Sequence, residues 1–337
     1  MPEGHSVHRI ARQFALHFVG HEIAASSPQG RFAAGAARID GHVMTQAIAV
    51  GKQMFLEFDN GLWLKVHLGI YGAWDFAGDI TADATMASSN GRIGQTNQRG
   101  TVVGAFEDSL SSIGAPRRAR LRMAEQEVEG TVDEFPPEPA GAVRVRLLTD
   151  ATCADLRGPT ACEILLPEEV QAAIDKLGPD PILDSSKEAE DRFVAAVLKK
   201  PTPICLLLMD QTVVAGIGNV YRAELLFRAR LNPHIPGRDL PEATVRALWK
   251  DWAKLLKIGV ETGQMMTMDG LSKEAYDGAM ASRADRHWVY HRTGEPCRVC
   301  GTPIVMEEIG GRKLYWCPVD QAAGNQAPGN RAVGAKA

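Results

Sequence analysis

The sequence predicts an α+β protein of two domains. Strands follow a leading helix in the first half, helices fill the second, and a small cysteine-bearing module lies near the end. Three observations carry that reading. Residues 53–68 alternate like a β-hairpin, residues 241–261 repeat apolar side chains at helical spacing, and three cysteines and an aspartate stand at metal-ligand intervals. At 337 residues, 45% of them hydrophobic, the chain is long enough to bury a core in each domain.

The first element is a helix over residues 5–18. Val7, Ile10, Ala11, Phe14 and Phe18 share a face, and Ser6 is placed to cap it. In the hairpin, Phe55, Leu56 and Phe58 form one strand and Leu62, Leu64 and Val66 the return. Asp59-Asn60-Gly61 between them tolerate the positive φ of a tight turn. Residues 77–142 have no sustained period. Rich in Gly, Ser, Ala and charge, and ending in Phe135-Pro136-Pro137-Glu138-Pro139, they are expected to be a disordered insertion with a loose polar helix in 116–129. Strand character resumes at Val143 to Leu148. From residue 167 the pattern turns helical. Pro167-Glu168-Glu169 opens one helix, Lys187 to Leu198 forms a second, and Pro203 to Met209 a short third. Gly216-Ile217-Gly218 interrupts, Val220 to Arg230 resumes, and residues 241–261 place Val245, Leu248, Trp252, Leu255 and Leu256 on one face. The Gly/Ala/Asn-rich stretch from Ala322 reads as a disordered tail. The expected boundaries are 1–166, 167–285, 286–321 for the cysteine module and 322–337 for the tail.

The net charge of −4 does not advertise a nucleic-acid binder. Residues 77–142 hold ten acidic and six basic side chains, which accounts for the whole imbalance. A DNA-binding face would therefore be a local stripe on an otherwise neutral chain. No apolar run is long enough to span a membrane, and His5, His8 and Arg9 interrupt the start where a secretory signal would be apolar. A cytoplasmic, nucleoid-associated protein is expected. Of the cysteines Cys153, Cys162, Cys205, Cys297, Cys300 and Cys317, the last three crowd together, which suits metal ligation better than a disulfide frame.

Met1-Pro2-Glu3-Gly4 opens the chain. Once Met1 is removed, Pro2 is a secondary amine with a useful neutral fraction near pH 7. Attack by that amine on a sugar C1′ gives an iminium ion, an electron sink, and the neighbouring Glu3 carboxyl can move protons. The same tetrapeptide also fits an unstructured start. Lys52, after Gly51, enters the hairpin strand and could face a phosphate or a base; alone it equally fits a solvated lysine. His67-Leu68-Gly69-Ile70-Tyr71-Gly72 displays apolar side chains on a tight turn, suited either to wedging into a base stack or to ordinary packing. Ala215-Gly216-Ile217-Gly218-Asn219 offers backbone amides at a helix start, with Asn219 as cap and phosphate donor, or is simply a turn.

The strongest local signal is Cys297-x2-Cys300-x16-Cys317-x2-Asp320, the spacing of a zinc ribbon with aspartate in the fourth place. A hairpin runs from Ile304 to Ile309, turns at Gly310-Gly311, and returns from Arg312 to Trp316. So small a module buries too little apolar surface to fold without metal. Arg312 leaves the turn where it can reach a phosphate or base edge.

In this order, Pro2-Glu3-Gly4, Gly51-Lys52, His67-Leu68-Gly69-Ile70, Leu177-Gly178-Pro179-Asp180-Pro181, Asp210-Gln211, Gly216-Ile217-Gly218-Asn219 and the Cys297-to-Gln321 module resemble the formamidopyrimidine-DNA glycosylase/endonuclease VIII family of base-excision repair. Apart from 77–142 and the tail, the resemblance covers almost the whole chain. Pro2-Glu3-Gly4, Tyr71-Gly72-Ala73-Trp74 and Val220-Tyr221-Arg222-Ala223-Glu224-Leu225 look like the endonuclease VIII branch, which prefers oxidised pyrimidines. The resemblance implies an N-terminal β-sandwich with its leading helix and a C-terminal helical domain with a helix–two-turn–helix motif and a zinc-ribbon hairpin. It implies a glycosylase and abasic-site lyase acting on double-stranded damaged DNA by β,δ-elimination, as a monomer, without membrane or nucleotide cofactor. Pro2 takes the Schiff-base role, Glu3 the general-acid role and Lys52 the hairpin-lysine role. Ile70 and Tyr71 take the wedge, Asn219 and Arg312 the phosphate contacts. One structural Zn2+ is expected on Cys297, Cys300, Cys317 and Asp320. Two departures stand out: Asp320 in place of a cysteine, and Leu156-Arg157-Gly158-Pro159-Thr160, which lacks an aromatic wedge. The alternatives are a non-catalytic binder of damaged or abasic DNA and a zinc-ribbon interaction protein with unrelated partners.

Overall fold

The computed structural model describes residues 2–80, 112–114, 135–282 and 285–322. The chain divides into two compact units, Met1–Lys176 with Val260–Gly263, and Leu177–Gly259 with Gln264–Ala337.

The first unit begins with helix α1 (Gly4–His17), whose N-cap position is Glu3. The expected cap Ser6 lies inside the first turn instead. Its N–H donates to the Glu3 carbonyl and its hydroxyl bonds His5, because the chain enters the helix earlier than the apolar pattern starts. Strands β1 (Glu22–Ser26), β2 (His42–Val50), β3 (Gln53–Phe58), β4 (Trp63–His67), β5 (Ala73–Gly78), β6 (Ser112–Gly114), β7 (Val143–Leu148), β8 (Thr152–Arg157) and β9 (Ala161–Leu165) follow, with short helix α2 (Ala33–Ala36) after β1. The hydrogen-bonded order is β6-β5-β8-β7-β1-β2-β3-β4-β9. β1 is the corner strand: Glu22 and Ile23 pair with β2, while Ala24 to Ser26 pair with β7. The sheet thereby folds into two layers around one core. Met54, Leu56, Leu64 and Val66 come from one layer, Trp74, Phe76, Leu147 and Leu156 from the other. Phe14 of α1 joins this core edge-on to Trp74 at 4.8 Å and to Phe76 at 5.4 Å, contacts of about 0.5–1.5 kcal/mol each. These layers are the expected β-sandwich.

Two expectations change here. Within the span read as an insertion, Ser112–Gly114 pair with Ala73 to Asp75 as β6. Residues 137 and 140 are also held to the sheet. Arg146 donates to the Pro137 carbonyl at 2.7 Å while its fork binds both oxygens of Asp155 across β7 and β8, and Arg157 donates to the Ala140 carbonyl at 2.6 Å and pairs with Asp75. The polar helix over 116–129 and the tail after Ala322 lie outside the described residues. The division between units falls after Lys176 rather than at 166/167, because helix α3 (Pro167–Asp175) packs on β4.

The second unit contains α4 (Lys187–Leu198), α5 (Ile204–Leu207), α6 (Asn219–Arg228), most of α7 (Glu242–Thr262), α8 (Lys273–Ala281) and the hairpin β10 (Val305–Ile309)–β11 (Arg312–Trp316). Ser186 caps α4 by accepting from Ala189 N–H. The linker from α5 to α6 is stapled by Gln211, which accepts from Gly216 N–H and donates to the Met209 and Ile217 carbonyls. Among the described residues no helix is long and apolar enough to cross a membrane.

Candidate functional site

Pro2 and Glu3 are buried at the N-terminus of α1, Glu3 completely. The helix continues with buried His5, His8, Arg9 and Gln13, an unusual polar set for the inner face of a helix. Burial drives the His5 imidazole down to about 3, with the nearby Arg9 guanidinium acting in the same direction, so His5 is neutral at physiological pH. The unsatisfied amides of the first turn carry partial positive charge.

Lys52 lies in the turn between β2 and β3. Gln53 beside it pairs with His67 at the end of β4, so Lys52, His67 and the turn bearing Ile70 and Tyr71 gather at one end of the hairpin. His67 is held below its ordinary value, first by burial and then by Lys52 and Lys65. Ile70 and Tyr71 are 39% and 44% exposed, high for large apolar side chains. The turn beneath them is braced from behind. Thr160 N–H donates to the His67 carbonyl at 2.9 Å, and its hydroxyl fills the space that a side chain at Gly69 would need. With φ at +64°, Gly69 tolerates no other residue easily. The Leu156–Thr160 stretch, which lacks an aromatic, thus supports the turn that bears Ile70 and Tyr71 through Thr160.

In the second unit, Gly218 occupies the N-cap of α6 and Asn219 is its first helical residue. Asn219 is therefore not the cap expected. It is buried, and its Nδ2 donates at 2.7 Å to the carbonyl of Lys313, next to exposed Arg312. Arg222 donates to the same carbonyl at 3.1 Å. Asn219 and Arg312, far apart in sequence, thus share one locality.

Cys297, Cys300, Cys317 and Asp320 converge, with one donor atom from each inside a span of 4.8 Å. Cys300 Sγ and Cys317 Sγ are 3.5 Å apart, and Cys297 Sγ and Asp320 Oδ2 are 3.0 Å apart. A tetrahedral zinc with Zn–S near 2.3 Å separates its sulfurs by roughly 3.8 Å, so the donor set fits that ion. Backbone amides of Val299 and Asp320 point at the sulfurs of Cys297 and Cys317, the arrangement that supports thiolates. All six cysteines are free.

Sequence reasoning missed Glu224. On α6 it reads as an outward charge, yet it is fully buried and accepts from the N–H groups of Trp288, Val289 and Tyr290 and from the Thr267 hydroxyl. Burial raises its carboxyl while those donors oppose the rise. Its role is to clamp the segment leading into the cysteine module.

Residues 1–108 match the formamidopyrimidine-DNA glycosylase N-terminal domain, 177–269 the formamidopyrimidine-DNA glycosylase H2TH domain, and 294–323 the zinc finger found in FPG and IleRS. Endonuclease 8 1 of Mycobacterium tuberculosis is 36% identical over 321 residues, 95% of this chain and 100% of that protein. Formamidopyrimidine-DNA glycosylase of Thermus thermophilus is 38% identical over 149 residues, 44% of this chain and 55% of that one. The fold matches Lactococcus lactis formamidopyrimidine-DNA glycosylase non-covalently bound to DNA containing an AP site, with TM-score 0.64 and 19% identity over 95% of this chain and 100% of that one. The chain belongs to the formamidopyrimidine-DNA glycosylase/endonuclease VIII family.

Proposed function

We propose that this protein is a bifunctional DNA glycosylase and abasic-site lyase that removes oxidised bases, pyrimidines foremost, from double-stranded DNA. The observation that carries the reading is Pro2-Glu3 buried at the N-terminus of α1 in a chain of this family. After Met1 is removed, the Pro2 nitrogen bonds to C1′ as the C1′–base bond breaks, and the base leaves with the electron pair and takes up the proton released from the Pro2 N–H. Glu3 protonates the ring oxygen, which opens the sugar and leaves an iminium on Pro2. Loss of a C2′ proton then expels the 3′ phosphate, and a second elimination expels the 5′ phosphate.

The remaining residues bind and orient. Lys52 steadies a phosphate or the damaged base, and Ile70 and Tyr71 occupy the gap left by the flipped nucleotide. Asn219 offers its second amide hydrogen to a phosphate, and Arg312 reaches the backbone beside it. Cys297, Cys300, Cys317 and Asp320 hold one structural Zn2+, which keeps the Arg312 hairpin folded and takes no part in the chemistry. The protein works as a monomer in the cytoplasm, close to the nucleoid.

Borohydride reduction during reaction with duplex DNA bearing an oxidised pyrimidine tests the nucleophile. Wild type forms a covalent protein–DNA adduct that mass spectrometry places on Pro2, and Pro2→Gly lowers its yield by at least about tenfold. Equal trapping by both proteins refutes the assignment. Binding of an abasic duplex without any strand cleavage would support the non-catalytic alternative.

A further inference from the structure

Two irregularities of this chain stand next to each other in space. The first is Asp320 at the position where the cysteine spacing calls for a fourth thiolate. The second is Arg230, which has φ +51° although it is not glycine. Arg230 follows the end of α6 at a Schellman stop: its N–H donates to the Phe227 carbonyl, and Leu231 N–H donates to the Leu226 carbonyl. Such a stop normally takes glycine, since other side chains crowd the backbone in the left-handed region. A strained residue retained at a turn invites a search for what its side chain reaches.

The Arg230 guanidinium lies over the Phe227 ring, 4.5 Å from its centroid, and points into the knuckle. Its Nη1 is buried and has no hydrogen-bond partner among the described residues. The carboxylate it faces is that of Asp320, with Nη1 3.6 Å from Oδ2, the same oxygen that lies 3.0 Å from Cys297 Sγ. A tether keeps the two together. Buried Gln321 accepts from Cys317 N–H and donates at 3.0 Å to the carbonyl of Leu231, the residue after Arg230.

We infer that Arg230 is a positioning residue for the aspartate ligand. This rests on the zinc reading above. Three thiolates and a carboxylate around Zn2+ leave a net negative centre, and a carboxylate is a harder, less tightly held ligand than a thiolate. A fixed guanidinium against Oδ2 orients the carboxylate toward the metal and offsets the excess negative charge, as outer-shell partners of metal ligands do. A thiolate in the fourth place leaves the same net charge but has no second oxygen to orient, so the directional part of the effect, which we take as the larger, is lost with it.

The test is a double-mutant cycle on the full-length protein, reading zinc content by atomic emission and the rate of zinc transfer to a chromogenic chelator. Arg230→Gly removes the cation but suits the left-handed turn, so the fold is retained. In the Asp320 chain it is expected to speed zinc loss about tenfold. In an Asp320→Cys background the same change is expected to alter the rate less than about twofold, a coupling that mere loss of packing on Phe227 would not produce. Equal acceleration in both backgrounds, or none with Asp320 present, overturns the role of Arg230. A wild-type protein purified without zinc overturns the metal reading as well, which separates the two failures.

Discussion

Among the described residues, hairpin β3–β4 lies inside a nine-stranded sheet, with β2 on one side and β9 on the other, whereas hairpin β10–β11 is a sheet of two strands. In the first, Met54, Phe55, Leu56, Leu64 and Val66 are buried. In the second, Val305, Met306, Arg312 and Lys313 are exposed. Lys52, in the turn that leads into the first hairpin, is held against this frame of apolar burial. The second presents Arg312 from a smaller frame, in which the four-donor cluster and the Lys313 carbonyl gripped by Asn219 and Arg222 supplement buried Leu314 and Tyr315. Two basic side chains that we propose to meet DNA are thus held in different proportions by apolar burial and by point attachments, and the two frames should respond differently to acid and to chelation.

The largest expected effect separates chemistry from grip. Glu3→Gln should lower turnover on lesion-bearing duplex by roughly 10²–10⁴, the range for losing a general acid. Affinity for an abasic-site duplex should stay within about threefold by fluorescence anisotropy; parallel losses of rate and affinity would break the division of labour.

Acid should weaken the first unit through His5. His5 is held near 3 in the fold and titrates near 6.5 when unfolded. Between those values the unfolded chain binds the extra proton, so stability falls as pH drops through that window, by up to about 1.4 kcal/mol per pH unit, and is fully present above 6.5. Calorimetry between pH 7 and 4 should show this slope, and His5→Gln should flatten it. An unchanged slope would mean that His5 is not the group responsible.

Removing metal with a chelator should act on the other hairpin. Duplex affinity should fall about tenfold or more while the thermal transition of the sheet unit stays in place. A shift of both transitions together would show that the two frames are not independent. Smallest of all, Arg312→Ala should weaken binding uniformly across sequences and reduce the slope of log affinity against log salt by about 1. An unaltered slope would remove Arg312 from the phosphate contacts.

Much of this contrast was legible in the sequence because it rests on local patterns. The β3–β4 alternation, the helix Lys187–Leu198 and the Gly310-Gly311 turn, with φ of +59° and +69°, are fixed by residues close in the chain. The knuckle was legible through ligand spacing. What could not be read depends on register and distance. Arg146 meets Asp155 only because β7 and β8 pair in a register interrupted by a bulge, and Glu224 meets residues 288–290 only after the chain has returned across the unit. Asn219 looked like a helix cap since asparagine favours that place, but Gly218 takes the cap, and the Asn219 side chain is drawn to Lys313 by a contact 94 residues away.

Strand β6 has a bearing on handling the protein. Three residues from within the charged 77–142 stretch lie along β5 and end the sheet. Long bare strand edges template pairing with other molecules, and very short terminal strands blunt that hazard. Trimming the whole stretch to simplify expression would strip this selvedge and lay open the amides of β5. A shortened version that stays soluble should therefore splice around Ser112–Gly114 instead of through them.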